Sequence, residues 1–338
     1  MTDIKTHVAL FAGLGGFILA TEKLGIETIL ANEIDENCRK TLENNFPKLN
    51  IQKKDIRELS FNDVINNKDI DLVTAGFPCQ SFSVAGDNKG FDDPRGKLFF
   101  EISRLLKELK SFPKIVILEN VPNLKNYNSG ERLAVIIKEL RSMGYWVNQN
   151  NSMILNTNKY AKSPQSRDRL FIVALHSKFF RSNKISKDVL EEKKSEDLWK
   201  RIKQTKAVDS SYYLSKENKH YQMLNNLVKV HGKNFVYQVR RSDVRVATKE
   251  GVCPTLTANM GLGGHNIPFI TDDFGIRTLT IEELSFLQGL SNHDFTFPDI
   301  SKTAKLTMLG NAVHPDIVSG ILDKILTLKS TKGDKNNA

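Results

Sequence analysis

The sequence predicts an α/β protein: an open sheet with helices on both faces, carrying a smaller and more irregular second domain. Three observations support this. Short apolar runs alternate with amphipathic stretches through the first half of the chain, the pattern of repeated strand–helix units. The first run is followed at once by a glycine-rich turn, Ala12-Gly13-Leu14-Gly15-Gly16. From about residue 180 the alternation stops, and Lys, Asn and Ser become more frequent.

The elements follow in order. Val8 to Phe11 reads as a strand, and Ile18, Leu19 and Leu24 give the next stretch a helical period. A glycine turn between strand and helix lets a ligand approach the backbone and leaves helix N–H groups unpaired. The pattern is not G-x-G-x-x-G, because Ile18 stands at the last position. That argues against a dinucleotide, whose pyrophosphate must sit on the helix N-terminus. Glu27 to Asn32 is a second strand ending at Glu33, placed to accept hydrogen bonds from ribose hydroxyls, with Ile34 beside it to cover a base or sugar. A helix over 35–45 leads to a third strand, Leu49 to Lys53, ending at Asp55-Ile56. An acid beside an aliphatic residue suits an adenine: an acceptor for the amino group and an apolar face for the ring. Either acid alone could be only a helix cap or a solvated turn. Two such pairs at successive strand ends, after a glycine turn at the first, favour a nucleoside.

Ile70 to Ala75 is a fourth strand and leads into Gly76-Phe77-Pro78-Cys79-Gln80-Ser81-Phe82-Ser83. A lone Cys is more often a small buried hydrophobe than a nucleophile, but the flanking Pro and polar residues are poor core material. The polar, glycine-containing segment 87–96 reads as a lid loop. A helix over 98–109 precedes a fifth strand, Lys114 to Leu118, which ends at Glu119-Asn120-Val121. An acid flanked there by Leu118 and Val121 is a candidate proton donor with a raised pKa. A helix spans 129–143, and later strands run from Met153 to Leu155 and from Leu170 to Leu175. Between these strands Arg167 and Arg169 share one face of a strand entry. In the irregular region helices are expected over 187–203 and 215–230, then a strand, Phe235 to Val239. A helix over 278–290 and a final apolar-faced helix over 316–328 close the fold. The tail 329–338 is expected to be disordered.

With 338 residues, 40% of them apolar, the chain can bury a large core. Cys38, Cys79 and Cys253 lack metal-ligand spacing, and the His residues do not cluster, so neither a disulfide framework nor a metal site is expected. No apolar leader follows Met1 and no membrane-length apolar run occurs, so a cytoplasmic protein is expected. The net charge is +10. Between His176 and Glu250 there are 18 Lys and Arg against 9 Asp and Glu. A basic excess confined to one segment fits a surface for phosphates.

A nucleoside site, a thiol, a neighbouring acid and a basic second domain together suit alkyl transfer to a ring carbon of a nucleobase. Cytosine C5 becomes enamine-like once a thiolate adds at C6, and an acid at N3 assists that addition. A base in a duplex must be flipped out to reach the thiol.

The blocks Phe11-Ala12-Gly13-Leu14-Gly15-Gly16-Phe17, Gly76 to Ser83, Glu119-Asn120-Val121, Gln165-Ser166-Arg167-Asp168-Arg169 and Gly310-Asn311-Ala312-Val313 occur in this order. The chain thereby resembles the bacterial cytosine-C5 DNA methyltransferases of restriction-modification systems, from residue 8 to about 326. The resemblance implies an S-adenosylmethionine-dependent, Rossmann-like mixed sheet. It implies Cys79 as nucleophile, Glu119 at N3 and N4, and Arg167 and Arg169 holding the flipped cytosine. S-adenosylmethionine, leaving as S-adenosylhomocysteine, would lie against Phe11, Leu14, Gly16, Glu33, Ile34, Asp55, Ile56, Pro78, Leu98 and Asn311. Double-stranded DNA would be met by Gln80, Ser83, Arg240, Arg241, Thr255 and Gly263. The implied domains are a catalytic and cofactor-binding part (1–180), a target-recognition part (181–276), a hinge (277–303) and a return to the catalytic part (304–328). A monomer is expected, with a cognate restriction endonuclease acting on the same site. Two departures stand out: Ile34 replaces a frequent aromatic, and His314 has no assigned role.

The nearest rival is a tRNA cytosine methyltransferase of the same fold; the compact basic insert and the absence of a Cys-Phe-Thr block favour DNA. A non-catalytic DNA-binding relative would lack Cys79 or Glu119, and both are present.

Overall fold

The computed structural model describes residues 3–65, 68–78, 98–202, 206–240, 243–247, 251–261 and 266–328. Cys79, Gln80, Ser83, Arg241, Gly263, the segment 87–96 and the tail 329–338 lie outside the described residues. The chain divides into two compact units. The first comprises 1–155, 168–191 and 315–338, and the second 156–167 and 192–314.

The first unit is built on an eight-stranded sheet. Its strands are β1 (Thr6–Leu10), β2 (Glu27–Asn32), β3 (Ile51–Gln52), β4 (Leu72–Gly76), β5 (Ile115–Asn120), β6 (Tyr145–Trp146), β7 (Ser152–Asn156) and, after the short β8 (Gln165–Ser166) of the second unit, β9 (Asp168–His176). The order is β3-β2-β1-β4-β5-β9-β6, with β7 pairing on β9. β3 through β5 run parallel, and β9 runs antiparallel to β5. The sheet is therefore open and mixed, as expected. All six residues of β5 are buried, which its Ile-Val-Ile-Leu sequence allows.

Parallel strands need crossovers, here by helices Gly16–Glu22, Glu36–Asn45 and Leu98–Glu108. Helix Leu98–Glu108 lays Phe99, Ile102, Leu105 and Leu106 into the core. The last helix, Pro315–Leu326, packs on helix Gly16–Glu22 through Ile317, Val318, Ile321, Leu322 and Ile325. β1 has β2 on one side and β4 on the other. The crevice beyond the carboxyl ends of β1 and β4 is thus the topological switch point, where ligands bind in such sheets.

The second unit carries an antiparallel sheet, β11-β10-β13-β14, formed by β10 (Tyr237–Arg240), β11 (Asp243–Val246), β13 (Pro268–Thr271) and β14 (Ile276–Thr278). β12 (Cys253–Pro254) pairs with β8. Tyr237, Val239, Val244, Phe269 and Ile276 form a core with Leu224 of helix Tyr221–His231. The helix expected over 187–203 is not continuous. Among its described residues only Lys187–Val189 and Leu198–Ile202 are helical. Between them Lys193 N–H donates to Lys159 O (2.6 Å) and Glu196 N–H to Lys162 O (2.9 Å). Non-local backbone pairing there displaces the local hydrogen bonds that propensity favours. The helix expected from 215 begins at Tyr221.

Arg277 is fully buried and ties the second unit together. Its guanidinium donates to both Glu283 oxygens (2.8 Å each) and its Nε to Asp272 Oδ2 (2.6 Å). Glu283 also closes a capping box with Thr280 on helix Ile281–Leu287.

Candidate active site

The acids found at strand ends in the sequence gather at the carboxyl edge of the first unit's sheet. After β1 the chain turns sharply. Phe11 adopts φ +52° and Gly13 φ +56°, both left-handed. For a bulky residue such as Phe11 that conformation costs on the order of 1–3 kcal/mol, a strain that clusters at ligand sites. A Cβ placed on Gly13 would meet nothing within 4 Å, so the turn faces open space.

Glu33 pins this turn: one oxygen accepts Gly13 N–H and the other Asp35 N–H, each at 2.8 Å. Burial pushes the Glu33 carboxyl above its ordinary pKa, and the Asp35 and Gly13 N–H groups pull the other way. Ile34, next to buried Glu33, is 60% exposed. An ionisable acceptor beside an uncovered aliphatic side chain and an open glycine turn fits a nucleoside.

Asp55 is committed differently. Arg57 forks onto it, Nε to Oδ1 at 2.8 Å and Nη2 to Oδ2 at 2.6 Å, and this pairing holds its pKa below the carboxylate norm. An adenine amino group would share lone pairs with Arg57. The side chain of Ile56, expected to face a ring, is instead part of the core, and Leu14 is equally buried. Arg104, which sequence reasoning missed, fixes the chain here by donating to Ile56 O and Leu59 O, both at 2.9 Å. An Arg on an amphipathic helix carries no sequence signal for such a role. Leu98 is half-buried and Pro78 is exposed.

The parallel register places Gly76 of β4 opposite Glu119 of β5. Asn120 donates from Nδ2 to Phe77 O (3.0 Å), tying the turn that begins there to the end of β5. Glu119 is buried, and Arg169 Nε stands 3.1 Å from its Oε1. Arg169 also donates to Asp168 O (2.8 Å). Carboxyl and guanidinium come from antiparallel neighbours, β5 and β9.

Arg167, expected to act with Arg169, belongs to the second unit. It is buried, and its guanidinium donates to Leu256 O (2.7 Å), Gly310 O (3.0 Å) and Ala312 O (2.9 Å). Arg167 thus anchors main chain of the second unit, whereas Arg169 meets Glu119 in the first. Gln165, to which the sequence assigned no role, receives Leu256 N–H on Oε1 (3.0 Å) and donates to Leu287 O (2.9 Å). Thr255 donates its hydroxyl to Ser166 O (2.7 Å). Asn311 is exposed at the end of helix Lys302–Asn311, also in the second unit. Arg240 is exposed at the end of β10.

Among the described residues no group of three His, Cys, Asp or Glu could hold a metal, and no helix is long and apolar enough to cross a membrane. Burial raises the thiol pKa of both Cys38 and Cys253, which makes them poor nucleophiles.

The chain matches the family model of the C-5 cytosine-specific DNA methylases over residues 6–327. It is 38% identical over 323 residues to the type II methyltransferase M.Bsp6I of Bacillus sp. (strain RFL6), covering 94% of this chain and 97% of that protein. It is 30% identical over 348 residues to M.HpaII of Haemophilus parainfluenzae, covering 95% and 89%. Among solved structures, DNMT2 of Spodoptera frugiperda superimposes with a TM-score of 0.72 at 17% identity, over 95% of this chain and 99% of that one. That likeness bears on the fold alone. A sheet edge carrying Glu33, Gly76 and Glu119, a family match over nearly the whole length and a full-length relative at 38% identity agree: the chain belongs to the C-5 cytosine-specific DNA methylases and is a DNA (cytosine-5-)-methyltransferase.

Proposed function

We propose that the protein methylates C5 of one cytosine within a short duplex DNA sequence, after flipping that base, through a covalent bond between Cys79 and C6. The observation that carries this reading is the pairing of Gly76 with Glu119 across β4 and β5, with Arg169 on the Glu119 carboxyl. The chain reaches Cys79 three residues beyond Gly76.

In this mechanism the Cys79 thiolate adds to C6, and the ring electrons move toward C5. Glu119 hydrogen-bonds N3 and the N4 amino group and stabilises the charge that addition places on the ring. Arg169 orients Glu119 and supplies a cation beside it. Loss of the C5 proton and expulsion of the Cys79 thiolate restore aromaticity. S-adenosylmethionine, when bound, supplies an electrophilic methyl group. Glu33 would hold its ribose and Ile34 would cover its base, with Phe11, Gly16, Pro78, Leu98 and Asn311 as further contacts. Asp55, and the main chain at Leu14 and Ile56, would complete the cradle. Gln80, Ser83, Arg240, Arg241, Thr255 and Gly263 would face DNA, and the segment 181–276 would read the target. The expected setting is the cytoplasm, beside a restriction endonuclease of the same specificity.

Incubation with S-adenosylmethionine and duplexes carrying 5-fluorocytosine tests the reading, because fluorine cannot leave as a proton does. A denaturant-stable protein–DNA adduct is expected with the wild type and none with Cys79→Ala. Turnover retained by Cys79→Ala would sink it, as would methyl incorporation into tRNA equal to that into duplex DNA.

A further inference from the structure

The β10–β11 hairpin of the second unit presents two faces. Tyr237, Val239 and Val244 turn toward helix Tyr221–His231 and are buried. The alternate positions, Gln238, Arg240, Asp243 and Arg245, take the other face. Gln238 and Arg245 are direct cross-strand partners. Gln238 is 2% exposed, and its Nε2 donates to Asn266 O at 2.9 Å. Asn266 is itself fixed, with a left-handed φ of +59° and its N–H on Val239 O at 2.8 Å. The Gln238 amide therefore has one orientation, with Oε1 toward Arg245. That oxygen accepts from Arg245 Nε at 3.0 Å and from Arg245 Nη2.

This contact uses the Nε side of the guanidinium and fixes its plane. The outer edge, with Nη1 and the second Nη2 hydrogen, faces away from Gln238. Arg245 is exposed, and among the described residues neither Arg245 nor Arg240 makes an ion pair. Asp243, the register partner of Arg240, turns its carboxylate to Val244 N–H (2.8 Å). Partial burial and the Arg240 charge both disfavour the charged form of Arg245. An amide orients a guanidinium without neutralising it, whereas a carboxylate in the same place would cancel its charge.

We propose that Arg245, held in plane by Gln238, reads a guanine of the target sequence by donating from its outer edge to O6 and N7 in the major groove. This rests on the reading of the protein as a duplex-DNA cytosine methyltransferase. Guanine presents two acceptors side by side, a match for a fixed fork. A phosphate oxygen is met as well by a swinging Lys and does not require a buried amide to set the plane.

The test is a pool of duplexes with randomised positions around a cytosine, methylated by the full-length enzyme and read by bisulfite sequencing. The wild type is expected to require guanine at one position. Arg245→Ala should lose that preference by about tenfold to a hundredfold at that position alone. Gln238→Met, which keeps the volume and removes the acceptor, should relax the same position, and Arg245→Lys should not restore it. If Arg245→Ala fails to fold, as judged by circular dichroism, Gln238→Met reads out the same position. An unchanged motif overturns the proposal, whether the rate is unaltered or falls uniformly with a shallower salt dependence, as a phosphate contact would give. A wild type that methylates no duplex overturns the activity itself and Arg245's role with it, a result distinguishable from an altered motif.

Discussion

At the scale of single residues, Glu119 and Arg169 form an ion pair at the sheet edge, and the proposed mechanism runs through it. Arg169→Ala leaves the carboxyl in place but removes its orienting partner at 3.1 Å. Turnover should fall by roughly a hundredfold, with little change in the KM for the cofactor, whose proposed cradle lies at other strand ends. Steady-state kinetics with both substrates varied checks this. His7 makes a different prediction. Its ring is buried between Thr28 Oγ1 on Nδ1 and Thr74 Oγ1 on Nε2, each at 2.8 Å, and burial pushes its pKa down to about 3. Above pH 6.5 both folded and unfolded chains hold it neutral, and its contribution to stability is complete. As pH falls from 6.5 toward 3 the unfolded chain takes up a proton that the folded one refuses. Stability should therefore drop by about 1.4 kcal/mol per pH unit across that window. Urea unfolding at pH 7.5 and 5.5 should show this drop in the wild type and its attenuation in His7→Gln. Neither His7's burial nor the different partners of Arg167 and Arg169 can be read from spacing. A His in an apolar run and two Arg two residues apart look alike whether they face core, main chain or substrate. Glu119 and Glu33 were legible, because each stands at or next to the end of a strand whose apolar residues mark it, Glu119 directly after Leu118 and Glu33 separated from Ala31 by Asn32 alone.

At the scale of elements, helix Lys302–Asn311 crosses the turn Ala258–Gly261 without room to spare. A Cβ on Gly310 would lie 2.2 Å from Thr257 C and 2.3 Å from Ala258 N. Backbone cannot yield as a side chain can, so Gly310→Ala should cost about 3 kcal/mol or more. A fall in thermal midpoint or loss of soluble protein is the readout. Arg167 donates to Gly310 O and Leu256 O, so the same packing sets the main chain beside Thr255. β1, β2, β4, β5 and β9 were legible to within a few residues because each has a buried apolar run, whereas the two-residue β6 has none and was missed. The segment 187–203 was not, because its backbone pairs with 159–162, a partner about 30 residues away that no local window contains.

At the scale of the molecule, the basic excess of the segment 176–250 should make DNA binding salt-dependent. Affinity for duplex DNA should weaken at least about tenfold between 50 and 200 mM salt, measurable by fluorescence anisotropy; a flat response would contradict a phosphate-facing surface. The sequence by itself determined most of the strands and helices of the first unit and their order, the glycine turn, the acids at the strand ends and the basic segment. Each of these is a property of neighbouring residues: apolar period, turn chemistry and local charge. Only the tertiary structure decided which strands adjoin, and so that Glu119 lies opposite Gly76 and that Arg169 from an antiparallel strand meets it. It alone showed that Ile56 packs inward while Ile34 stays uncovered, and that Gln238 sets the plane of Arg245. Pairing across a sheet joins residues tens of positions apart, and the direction of a side chain depends on what the rest of the chain packs around it.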